Sequence, residues 1–223
     1  MTATVLASAA SAQTYTQTAG QGAVRTSASP IELGLMGGYA DGLNGEAFVH
    51  VPNVAGAFGV KAGVSYGQRD AIAKPTGAIV DITAGTNYKA EGSATVVSLD
   101  GTYGLGQVAR GTTATAYAGG RYGMFGGKET YTLAGADYSN DFSANAFGLG
   151  AGVQISGPVS SNMDLVGDLG VDHFFAGEVK RTAKMGNTVL EEDTYTDAAD
   201  IKYNRFNAPG TNFKAKVGVK FRL

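Results

Sequence analysis

The sequence predicts an all-β fold, an eight-stranded antiparallel up-and-down transmembrane β-barrel, on three observations. Apolar and polar residues alternate with period two along eight segments between Ile31 and Leu223, the pattern of a strand with two unlike faces. Most of these segments are longer than the ~5–6 residues of ordinary sheets, and they suit a tilted membrane strand of ~9–11. The connections also alternate, short after the second, fourth and sixth segments, long after the third, fifth and seventh, and modest after the first. A membrane barrel separates short periplasmic turns from longer extracellular loops in this way.

Composition narrows the alternatives. The chain has 223 residues, a net charge of −2 and no cysteine, which leaves no disulfide scaffold and no thiolate metal site. Its 34 glycines lack a collagen period. Mean hydropathy is −0.04 and no apolar run is long enough for a membrane helix. A barrel strand escapes that test, because its two faces average to neutral. At the start, Ala10-Ser11-Ala12 before Gln13 follows a short apolar run and reads as a signal-peptide remnant over residues 1–12. Residues 13–30 form a polar lead-in, and the barrel is expected over 31–223.

The first segment is IELGLMGGY, with Ile31, Leu33, Leu35 and Tyr39 on one face and Glu32, Gly34 and Met36 opposite. The second, EAFVHV, is ambiguous: either Phe48 and His50 or Ala47, Val49 and Val51 point outward. After the turn PNVAG, the third sets Phe58, Val60, Val64 and Tyr66 against Gly59, Lys61, Gly63 and Ser65. A long connection, 67–92, leads to SATVVSLDGTY, where Thr95, Val97, Leu99 and Tyr103 oppose Ser98, Asp100 and Thr102. GLGQVARG turns into the fifth segment, with Tyr117 and Arg121 on one parity and Ala114, Ala116, Ala118, Tyr122 and Met124 on the other. A loop over 126–141 precedes FSANAFGLGAGVQI, where Phe147, Leu149, Ala151, Val153 and Ile155 face alanines and glycines. The seventh segment places Asp164, Asp168 and Asp172 on one parity. A loop over 177–210, with the acidic stretch LEEDTYTDAAD, leads to NFKAKVGVKFRL, in which Lys214, Lys216, Lys220 and Arg222 share one face.

The charged face is expected to line the lumen. Elsewhere the same parity is mostly Gly, Ala and Ser, unlike a solvated surface but suited to a narrow interior filled by side chains. A Lys or Arg turned to lipid at mid-bilayer costs roughly 2–4 kcal/mol, so reversing the last strand alone would unfold the barrel. A soluble barrel would be apolar within and polar without. The inward charges, Glu32, Lys61, Asp100, Arg121, Asp164, Asp168, Asp172, Lys214, Lys216, Lys220 and Arg222, must then pair. Cross-strand counting sets Asp172 near Lys214, Asp164 near Arg222, Asp168 within reach of Lys216 or Lys220, and Glu32 beside Lys220 or Arg222. Aromatic residues fall in two girdles: Phe58, Tyr103 and Phe221 near the short-turn end, Tyr39, Tyr66, Tyr122, Phe175 and Phe213 near the other.

Chemical motifs are sparse. Gly104-x-Gly106-x-x-Ala109 matches a dinucleotide fingerprint, yet GTTATAYAGG after it is strand-like where the fingerprint needs a helix, so a turn is the better reading. His50 and His173 have no metal-ligand spacing, and Glu191, Glu192, Asp193, Asp197 and Asp200 lack the spacing of a calcium loop. No cofactor and no nucleic-acid partner is expected.

From Ile31 to Leu223 the chain resembles the small eight-stranded outer-membrane barrels of the OmpA/OmpX-like family. The most specific feature is the final strand, where Phe213, Ala215, Val217, Val219, Phe221 and Leu223 match the signal read by the barrel-assembly machinery, with Leu in place of the usual terminal Phe. The resemblance implies an integral protein of the bacterial outer membrane, with lipid and that machinery as partners and surface-layer or envelope proteins reached through the loops. A non-enzymatic, envelope-organising role with a closed or narrow lumen is expected. A small diffusion pore is one alternative. A rim-located lipid-modifying enzyme is another, although Phe175 stands where a His-x-Ser pair from His173 needs its serine.

Overall fold

The computed structural model describes residues 31–72, 87–175, 177–196 and 206–223. The expected signal remnant and lead-in, and Asp197 and Asp200 of the acidic stretch, lie outside them. Ten strands form one antiparallel sheet, with no helix among the described residues. They are β1 Glu32–Ala40, β2 Leu43–Ala55, β3 Phe58–Gln68, β4 Lys89–Ala109, β5 Thr112–Leu133, β6 Ala136–Pro158, β7 Met163–Phe174, β8 Val179–Met185, β9 Thr188–Tyr195 and β10 Thr211–Arg222. Strands β1 to β7 pair in sequence order, and β10 pairs with both β7 and β1, which closes a circuit of eight. The other two, β8 and β9, form a hairpin attached to the outer half of β6 through Tyr138–Ala144.

Two expectations are corrected. The described residues hold ten strands, because β8 and β9 lie within the expected loop over 177–210, outside the closed circuit. VKRTAKM and TVLEEDTY carry polar residues on both faces, so no alternation marks them, and Gly186 at φ +57° turns one into the other. The expected loop over 126–141 is instead the far end of the β5–β6 hairpin. Pairing continues from Thr113↔Ser156 to Leu133↔Ala136, around a two-residue turn at Ala134 and Gly135. Their φ angles of +51° and +81° are those of a hairpin turn matched to strand twist. Connections at that end are therefore unequal, with tight turns at Asp41–Gly42 and Ala134–Gly135 beside long segments after β3 and β9. The opposite end keeps short turns at Gly56–Ala57, Arg110–Gly111 and 159–162.

Burial inverts the order of a water-soluble sheet. On β10, Lys216 is 4% exposed and its neighbour Val217 69%. The same contrast separates Lys61 from Val60 and Asp168 from Leu169. Strand β2 resolves in the same sense, with Phe48 and His50 buried and Ala47 and Val49 exposed. A contiguous aliphatic exterior of this extent demands an apolar solvent. Phe58 and Tyr66 on β3 are eight residues apart, roughly 27 Å along a strand and about 20 Å along the axis at ~40° tilt. That approaches the ~25 Å apolar band of a spanning barrel. Rings pair across strands at both edges of the band, Phe58 with Tyr103 at 5.0 Å and Tyr122 with Phe147 at 5.1 Å, which adds Phe147 to the upper girdle. Beyond it the outward residues of β4 to β6 turn polar (Glu91, Lys128, Asp141), and the hairpins stand clear of the band.

Candidate functional site: the lumen and its outer cap

Small residues make room for the large ones inside. A Cβ at Gly34 would collide with the Phe48 ring, one at Gly150 with the Arg121 guanidinium and Asp172, and one at Gly152 or Gly170 with Tyr117. Glycine on the inward parity of these strands is thus the complement of a neighbour's bulk.

Near the short-turn end, Glu32 receives hydrogen bonds from His50 Nδ1 at 2.7 Å and Lys220 Nζ at 2.9 Å. His50 Nε2 meets Thr102 Oγ1 at 3.0 Å, and Asp164 pairs with Arg222. In mid-barrel Arg121 bridges Asp100 at 2.6 Å and Asp172 at 2.8 Å. Lys214 reaches Asp172 at 3.0 Å, Lys216 reaches Glu46 at 2.7 Å, and Lys61 lies 3.7 Å from both Asp100 and Glu46. The contacts Lys214–Asp172, Arg222–Asp164 and Lys220–Glu32 form, but the β7–β10 register is shifted by two residues from the expected one, with Lys214 opposite Gly170 and Lys220 opposite Asp164, so the first two contacts run diagonally. Asp168 differs. It stands opposite Lys216, but its carboxylate accepts the Tyr117 hydroxyl at 2.8 Å, while Lys216 reaches over the intervening β1 to Glu46 on β2.

Glu46, His50, Thr102 and Tyr117 thus join the network beyond the charges named from the sequence. Glu46 and His50 lie on the ambiguous strand, and Tyr117 reads as a lone aromatic on a small-residue face. With Glu46, six carboxylates (Glu32, Glu46, Asp100, Asp164, Asp168, Asp172) face six cations (Lys61, Arg121, Lys214, Lys216, Lys220, Arg222). The Tyr117 ring also carries Lys61 at 4.2 Å and Lys214 at 5.1 Å from its centroid, a favourable placement for a cation over an aromatic face.

Above the charges lies an apolar layer. Phe125, Phe142, Phe174 and Val179 point inward and pack with Ile72 and Phe206, which come from the β3–β4 and β9–β10 connections. Ile72 and Phe206 form a bridge, Asn207 N–H donates to Ala71 O at 2.8 Å, and Asn207 Nδ2 donates to Asp70 O at 2.7 Å. Arg69 clamps the pair of connections, donating to Asn207 O at 2.9 Å and forming an ion pair with Asp41 at 3.0 Å, with its guanidinium 5.0 Å from the Phe125 ring. Outside this layer Asn140 donates to Glu129 at 2.7 Å. On the β8–β9 hairpin, burial pulls the Arg181 guanidinium down, but the Tyr195 hydroxyl and the Glu191 and Asp193 carboxylates outweigh it and hold Arg181 above its ordinary range.

No catalytic constellation assembles among the described residues. His173 points outward, with Nδ1 2.8 Å from Thr211 Oγ1 and its ring against Phe175. His50 is bound to Glu32 and Thr102 deep in the lumen. No group of three metal-ligating side chains forms among the described residues.

No family model matches the sequence, and no curated protein matches it. Solved structures do. A major outer membrane protein from Thermus thermophilus superposes with a TM-score of 0.75 and 25% identity, over 86% of this chain and 98% of that one. The chain is an integral protein of the bacterial outer membrane, built as a β-barrel. Weaker likenesses are to Acinetobacter baumannii CarO (TM-score 0.40, 13% identity, 87% of this chain and 98% of that one) and Neisserial surface protein A (0.35, 12%, 86% and 94%).

Proposed function

We propose that this barrel is a non-enzymatic, structural or envelope-organising protein of the OmpA/OmpX-like type, whose lumen is closed to solutes. In this reading the closed circuit of eight strands is an up-and-down transmembrane barrel with its short turns in the periplasm. The β8–β9 hairpin and the outer halves of β4 to β6 stand outside the cell, available to surface-layer or envelope proteins. Phe213, Val217, Val219, Phe221 and Leu223 present the assembly signal, and residues 1–12 are the remnant of an export signal.

The observation that carries the reading is the double seal. Five carboxylates and six cations fill the lumen as ion pairs, Asp168 is held by the Tyr117 hydroxyl, and the layer of Phe125, Phe142, Phe174 and Phe206 covers them at the outer end. A diffusion pore needs a continuous water path, and an apolar constriction resists wetting. Purified barrel in planar bilayers is expected to pass no stable single-channel current. Regular, reproducible openings would overturn the closed lumen in favour of a small pore.

A further inference from the structure

A cleft of about 860 Å³ lies at the outer rim, between the β1–β2 turn, the end of β3 and the outer halves of β4 to β6. This volume is within the ~300–1,000 Å³ usual for small-ligand sites. Tyr39 and Tyr66 line it and are both exposed. They belong to the upper aromatic girdle, the level of lipid headgroups. Leu43, also in the wall and 76% exposed, continues the cleft onto the lipid-facing surface.

Part of the polar wall is unengaged. Among the described residues the side chains of Gln68, Asp70, Glu91 and Lys128 make no hydrogen bond or ion pair. The other charges there are occupied, Arg69 with Asp41 at 3.0 Å and Asp141 with Lys184 at 2.8 Å. Two free carboxylates against one free ammonium make a poor seat for a phosphate. Aromatic faces beside free carboxylates and an amide suit a sugar: its C–H face lies on a ring, and its hydroxyls donate to carboxylates and exchange hydrogen bonds with the amide.

We propose that this cleft binds the neutral glycosyl headgroup of a lipid in the outer leaflet. The site rests on the membrane placement of the barrel and is independent of whether the lumen conducts.

The test uses the full chain in phosphatidylethanolamine nanodiscs containing a few per cent of either monoglucosyl-diacylglycerol or phosphatidylglycerol, followed by native mass spectrometry of the released barrel. The glucosyl lipid should be retained about tenfold over phosphatidylglycerol. The triple variant Gln68→Ala, Asp70→Asn, Glu91→Gln, confined to exposed side chains, should keep its folded gel mobility and lose that preference, while Lys128→Ala should keep it. Equal retention of the two lipids, or a preference that survives the triple variant, would overturn the proposal. Full competition by maltotriose in the buffer would also overturn it, by assigning the cleft to free saccharide. A wild-type barrel without heat-modifiable gel mobility would remove the membrane reading instead.

Discussion

At the scale of single residues, Arg121 holds the mid-barrel together. Its guanidinium pairs with Asp100, whose side chain is fully buried, and with Asp172, which Lys214 also holds. Removing one partner of a buried pair costs more than the pair itself contributes, because the remaining charge is left desolvated. Arg121→Ala is therefore expected to lose about 3–5 kcal/mol in urea unfolding from lipid vesicles. Lys180→Ala, on an exposed position of β8, should change stability by under ~0.5 kcal/mol. Similar losses for the two variants would show that the lumen pairs are not structural. Of these contacts, counting along neighbouring strands predicts Lys214–Asp172 and Arg222–Asp164. The Lys216–Glu46 contact escapes such counting because it skips a strand, passing over β1, so its length depends on barrel curvature and stagger.

At the scale of elements, the β5–β6 hairpin turns on an alanine in a left-handed conformation, Ala134 at φ +51°. That region penalises a Cβ, whereas Asn before Gly is the favoured pair for such a turn. Ala134→Asn is expected to stabilise the tip by about 0.5–1 kcal/mol, seen as slower amide exchange at Leu133 and Ala136. Unchanged or faster exchange would place the strain elsewhere. The hairpin is invisible as such in the sequence, since glycines and charges around Gly126–Asp141 resemble a loop. Its strand character comes from partners, β4 on one side and β8 on the other, that local pattern does not reveal. For the same reason β8 and β9 read as loop: strands standing in water need no apolar face.

At the scale of the whole molecule, the two solvents of the barrel are on opposite sides from those of a soluble domain. An exterior of Leu35, Leu99, Leu169 and Val217 with a charged interior is stable only where lipid replaces water outside. The closed circuit of strands should resist detergent until heated, so the unboiled protein is expected to run faster on SDS gels than the boiled form. Identical mobilities would contradict a closed, detergent-resistant barrel. The apolar cap is likewise a property of the whole fold. Phe125, Phe142 and Phe174 fall on the parity read as lumen, and Ile72 and Phe206 come from connections far apart in sequence.

The alternation in NFKAKVGVKFRL and its companions was enough, by itself, to determine an all-β chain and the inward parity of its charges. Period two places side chains on faces whatever the partners are, and the cost of a cation in lipid then orients those faces. Tertiary structure alone decided the strand count, the inward turn of Glu46 and His50, the acceptance of Tyr117 by Asp168 and the sealing layer above. Each of these depends on distances across the barrel or on pairing between segments far apart in the chain, which a one-dimensional pattern does not contain.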